Sequence, residues 1–131
     1  MEEIDTDRLL DAITAVVPPV LAALETLAYV SRHLHPPNVA SLADAASQAV
    51  VPVREGMDVF KSVALPDHLA QFAIHLEKVV DEVCLACDGL AQSVEDPNGL
   101  MGAYRALRHQ TRAVEALYPI ALMLPPVGRF F

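Results

Sequence analysis

Apolar residues recur in steps of three and four along most of this chain, and nowhere do they alternate cleanly over the length of a strand. The longest unbroken run is 66–94. There Leu69, Phe72, Leu76, Val79, Val80, Val83, Ala86, Cys87 and Leu90 fall on one face of an α-helix. Pro66 suits a first helical turn, where its missing N–H costs nothing, and Asp67 favours the positive end of the helix dipole. The pattern predicts a central helix of about 28 residues, roughly 42 Å long at 1.5 Å per residue, against which the other segments pack.

The prolines divide the rest. Asp5 or Thr6 caps a helix to about Val17, with Leu9, Leu10, Ile13, Val16 and Val17 inward. Pro18 and Pro19 end it, because a residue before proline is pushed out of the helical region. A second helix runs to about His33 with Val20, Leu21, Leu24, Leu27, Ala28 and Leu34 inward. It either continues the first past a kink, which is the favoured reading, or turns back on it. Asn38 caps an alanine-rich third helix that Pro52 kinks or ends, followed by a short helix over 54–64 with Met57, Phe60 and Val63 or Ala64 inward. Asp96 and Pro97 open the last long helix, which places Leu100, Tyr104, Leu107, Thr111, Val114 and Tyr118 on one face before Pro119 interrupts it. The expected fold is all-α: an up-and-down bundle of four to five main helices with Pro-marked breaks, one domain over 1–131 with an extended apolar tail from about 125.

Composition adds limits. With 131 residues, 53% of them hydrophobic, the chain can build a core without staples. Its net charge of −8 repels phosphate backbones, so nucleic acid is not an expected partner. The stretch 9–30 is long and apolar, but Asp11, Glu25 and the central proline pair favour core helices over a membrane span. The acidic opening Met1-Glu2-Glu3 lacks the basic start of a signal peptide, and the expected location is cytoplasmic.

Candidate chemistry is sparse. Cys84 and Cys87 form a CxxC deep inside the central helix, not at a helix N-terminus where the dipole would activate a thiol, and no second pair completes a zinc site. They read as core thiols. His68, His75 and Glu82 recur every seven residues. That step separates side chains by roughly 10 Å, too far to share one ion, so they read as flanks of the core stripe. His33 and His35 sit at a helix end, where an imidazolium is favourable. None of the serines Ser31, Ser41, Ser47, Ser62 and Ser93 has the context of a nucleophile, and there is no GxSxG, P-loop, GxGxxG or HExxH. Neither cofactor nor metal is expected, and no catalytic residue is assigned. Arg105, Arg108, His109 and Arg112 form a basic stripe on the last helix. Ion pairing to Glu77, Asp81, Glu82 and Asp88 of the central helix is its simplest use, and docking of an acidic segment or anionic ligand its sharper one. With Phe130 and Phe131 of the apolar tail, these are the candidate interaction residues.

The segments Leu27-Ala28-Tyr29-Val30-Ser31-Arg32-His33-Leu34-His35-Pro36-Pro37, Tyr104-Arg105-Ala106-Leu107-Arg108-His109, Glu115-Ala116-Leu117-Tyr118-Pro119 and Leu124-Pro125-Pro126-Val127-Gly128-Arg129-Phe130-Phe131 resemble the helical N-terminal region of certain bacterial α/β-hydrolase-type esterases of the phospholipase/carboxylesterase kind. The resemblance spans nearly the whole chain but carries no nucleophile, acid or catalytic histidine. It implies a non-catalytic accessory or interaction domain associated with such an esterase. The alternative reading is a free-standing bundle that binds a small apolar ligand or forms an oligomer. An enzyme would need a metal or covalent cofactor that the sequence does not provide for.

Overall fold

A computed structural model describes residues 6–65, 67–94 and 99–121. Among these residues there are four α-helices and no strand: α1 Thr6–His33, α2 Val39–Lys61, α3 Ala70–Ser93 and α4 Gly99–Ala121. Single 3-10 turns, Pro36–Asn38 and Asp67–Leu69, lead into α2 and α3. The all-α bundle expected from the periodicity is what forms.

The contacts between consecutive helices fix their directions. Gly56 lies against Ala15 and Val16, Phe60 meets Phe72 with ring centres 6.2 Å apart, and Lys61 pairs with Glu77 at 3.7 Å. Gly89 abuts Ala106, and Glu82 bonds His109. Apart from the long-armed Lys61–Glu77 pair, the two members of each pair stand at similar distances from the link between their helices, so each helix runs antiparallel to the next. The core is a continuous set of Leu, Val and Ala, with Leu24, Leu27, Leu76, Leu90, Leu117 and Ile120 fully enclosed. α3 and α4 share the most extensive contact, while α1 touches α4 only lightly and α2 barely meets it.

The favoured continuation of the first helix past Pro18 and Pro19 holds, whereas neither Pro52 nor Pro119 ends its helix. Pro18 and Pro19 lie inside α1, Pro52 inside α2 and Pro119 inside α4. Six expected segments therefore merge into four long helices. Each internal proline removes one backbone hydrogen bond, but both flanks of each helix carry apolar residues into the same core, and that burial offsets the loss. Pro19 leaves the Ala15 carbonyl without its usual donor, and α2 answers there with Gly56. A Cβ on Gly56 would stand 2.0 Å from the Ala15 oxygen, so only glycine permits this approach.

Three further expectations are corrected. Asn38 precedes α2 in a helical conformation and makes no side-chain cap. Pro66 lies outside the described residues, and a 3-10 turn rather than α-helix opens the central segment. In α4 the inward face is Ala103, Ala106, Leu107, Ala113, Ala116, Leu117 and Ile120, whereas Tyr104 and Tyr118 are 51% and 55% exposed and Thr111 is exposed. Close packing on α3 leaves room for alanines and not for tyrosine rings, so the helix turns its small residues inward. Leu10 in α1 is likewise exposed. The window Arg8–His33 is long and apolar enough to cross a membrane by length and composition, and its apolar face here packs on the other helices.

Candidate functional site

The α3–α4 hairpin is built on small residues. A side chain at Gly89 would press to 2.8 Å from the Ala106 Cβ, so the helices approach closely at that level. Outside this contact the pair leaves a groove. From α3, His75, Lys78, Glu82, Leu85, Gly89 and Gln92 line it; from α4, Gly102, Arg105, His109, Arg112, Ala116 and Pro119 do. Both sets advance in steps of three and four, which keeps each set on one line along its helix.

Glu82 and His109 bridge the groove near its middle. His109 Nδ1 lies 2.6 Å from Glu82 Oε2, with both side chains largely covered, at 27% and 16% exposure. An ionised carboxylate only accepts, so Nδ1 carries the proton and donates it. The bridge divides the groove into two cavities of about 440 Å³ each. One is bordered by Leu85, Asp88, Gln92, Ser93 and Arg105; the other by His75, Lys78, Arg112, Glu115 and Pro119.

An acid–histidine pair beside a serine invites comparison with a hydrolytic triad, and the helix register rules it out. Ser93 sits at the far end of its cavity, roughly 10–16 Å from His109 along the helix axes at 1.5 Å per residue. Its hydroxyl already donates to the Leu90 carbonyl at 2.7 Å. Among the described residues no cluster of three metal-ligating side chains forms.

Two of the four acids of α3 pair with α2. Arg54 Nη2 donates to Asp88 Oδ2 at 2.5 Å, and Lys61 pairs with Glu77. Of the basic stripe on α4, only His109 finds an acid on α3. Arg105, Arg108 and Arg112 are exposed, and neither they nor Lys78 has an ion-pair partner among the described residues. The simpler use expected for the stripe is met by His109 alone among the described residues, and of the three arginines Arg105 and Arg112 line the groove. Phe130 and Phe131, the other candidate interaction residues, lie outside the described residues.

The CxxC thiols part company. Cys87 is 1% exposed, and burial pushes its pKa up to about 12. Cys84 is half-buried beside Arg54 and Asp88. Burial raises its pKa against the opposing pull of the Arg54 guanidinium. Neither is poised as a thiolate nucleophile. His75 is half-buried in the groove, as the heptad step beside the core stripe implies. Pairing of the α4 stripe with the acids of the central helix is expected from the sequence, but the sequence does not single out Glu82 and His109. Their trace is a second three-four repeat beside the core stripe, through His75, Lys78, Glu82 and Leu85.

Compared with known protein families, curated proteins and solved structures, the chain matches none.

Proposed function

We propose that this chain is a non-catalytic interaction module, an up-and-down helical bundle that offers the outer face of its α3–α4 hairpin to a protein partner. The observation that carries this reading is the exposed arginines Arg105 and Arg112 in the lining of the groove, with Arg108 exposed on the same helix and none of the three ion-paired among the described residues, on a chain of net charge −8. An acidic protein that leaves its cations concentrated and unneutralised on one face has a surface suited to an anionic partner. Exposed Met101 and Tyr104 add apolar area to the outer side of the same helix. The resemblance to the helical region of bacterial esterases supports an α/β-hydrolase domain as the partner class, with catalysis residing on the partner. The cavities on either side of the Glu82–His109 bridge have charged walls, which suits a polar surface better than a small apolar ligand.

Site-specific photo-crosslinking in cells tests this. A photoreactive residue replacing Tyr104 on α4 is expected to give a discrete adduct with one protein. The same residue replacing Val59 on the outer side of α2 is expected to give none. Equal, diffuse labelling from both positions would sink the proposal. The mass of the captured protein also decides whether the partner is a hydrolase.

A further inference from the structure

The lining of the groove states what kind of surface fits it. Two parallel lines of residues, each advancing by three and four, are what a third helix meets when it lies along a helical hairpin. The covered Glu82–His109 bridge satisfies its own charges in the middle and leaves half-exposed Leu85 next to it as an apolar contact. The uncommitted cations lie on either side, Arg105 at one cavity and Lys78 with Arg112 at the other. The centres of the two cavities are about ten residues apart along each helix, roughly 15 Å.

We infer that the occupant of this groove is an acidic amphipathic α-helix of a partner protein, with carboxylates about seven residues apart, the step from Arg105 to Arg112, reaching Arg105 in one cavity and Lys78 and Arg112 in the other. This inference rests on the interaction-module reading and specifies its partner. Guanidinium groups favour carboxylates because two N–H donors match two oxygens. Arg105 and Arg112 are seven residues apart, and a seven-residue step is close to two helical turns, so carboxylates at that spacing leave the same face of the incoming helix. An apolar residue between them covers Leu85. A second copy of this chain fits less well. Its acidic outer face, with Asp44, Glu55 and Asp58, belongs to α2, which barely meets α4 across the bundle. Pairing those two different faces would run on from copy to copy rather than close into a dimer.

The probe is a synthetic helix of about 20 residues, long enough to fold alone, alanine-based, with glutamates and leucines on a three-four repeat and a fluorophore at one end. It is titrated with the full chain beside two controls: the same peptide with lysine for glutamate, and a scrambled peptide of identical composition. The periodic acidic peptide is expected to bind at least about tenfold more tightly than either control. Arg105→Glu and Arg112→Glu are each expected to weaken it about tenfold, with the far-UV spectrum unchanged. Arg32→Glu, the same charge change at the end of α1, is expected to leave binding within about twofold. Equal binding of the scrambled peptide, or indifference to both groove variants, would overturn the inference. So would anionic phosphatidylserine vesicles competing for the groove while the peptide does not bind, or concentration-dependent growth in light scattering abolished by Arg112→Glu. If the peptide fails while the Tyr104 crosslink still traps one protein, the module reading stands and the acidic helix falls. Failure of both removes the module itself.

Discussion

At the scale of single residues, Gly56 is the point where the sequence has least freedom. Glycine inside a helix ordinarily costs about 1 kcal/mol against alanine, so Gly56→Ala would be stabilising in an open site. Here the added Cβ meets backbone, 2.0 Å from the Ala15 oxygen, and backbone cannot rotate away. The expected result is a net loss of about 3 kcal/mol or more as α1 and α2 are forced apart, read from urea denaturation. Cys87 gives a second prediction, with a definite sign. Its folded pKa of about 12 exceeds the ordinary 9.0, so the unfolded chain releases the proton first. Native protein then binds more protons than unfolded protein as pH rises from about 9 towards about 12, and stability falls over that window. Cys87→Ala lacks this component. The stability difference between wild type and variant is therefore expected to shrink from pH 8 to pH 11 by an amount on the order of a few kcal/mol. A thiol reagent at neutral pH is expected to label half-buried Cys84 before Cys87.

At the scale of elements, the internal prolines separate local preference from tertiary demand. Pro52 is exposed within α2. Pro52→Ala restores the hydrogen bond to the Gln48 carbonyl and removes a helix penalty of about 3 kcal/mol, less about 1 kcal/mol for a freer unfolded chain. The expected gain is about 1–2 kcal/mol, visible as a raised Tm. Pro19 is a different case. Its missing donor leaves free the Ala15 carbonyl that faces Gly56, so Pro19→Ala restores a bond at the tightest point of the α1–α2 contact. It is expected to stabilise less than Pro52→Ala, in the same thermal melts. The same contrast explains why proline positions misled as boundaries: they mark weak points of a helix, and burial of both flanks decides whether the helix continues through them.

At the scale of the whole molecule, α3 is the element that the others share. It packs broadly on α4 and α2 and also meets α1, and its stripe from Phe72 to Leu90 is enclosed. Amides along the middle of α3 are therefore expected to exchange hydrogen most slowly, close to the rate set by global unfolding. α1 closes only lightly on α4, so its outer turns are expected to exchange sooner. Hydrogen exchange read by mass spectrometry checks both. Equal protection of α1 and α3 would show the bundle to be more symmetrical than its contacts imply. Charge belongs to this scale too. The protein is acidic as a whole, yet Glu77 and Asp88 of α3 pair with α2 and Glu82 with His109, and the α4 arginines are left exposed.

The repeat of apolar residues by itself determined the helical class and the buried face of α3. Phe72, Leu76, Val79, Val80, Val83, Ala86, Cys87 and Leu90 are all enclosed as their spacing requires. Local spacing suffices there because that helix is covered on several sides and large residues fill its stripe. On α4 the same reasoning chose Tyr104, Thr111 and Tyr118, since size and apolarity are visible in a sequence while the distance to the neighbouring helix is not. Gly89 against Ala106 sets that distance, and it turns the alanines inward and the tyrosines out. Arg105, Arg108, His109 and Arg112 were legible as a basic stripe, but which acid each would meet depended on register between helices. Tertiary packing gave Asp88 to Arg54, Glu77 to Lys61 and Glu82 to His109, and so left Arg105 and Arg112 in the groove lining without an ion-pair partner among the described residues.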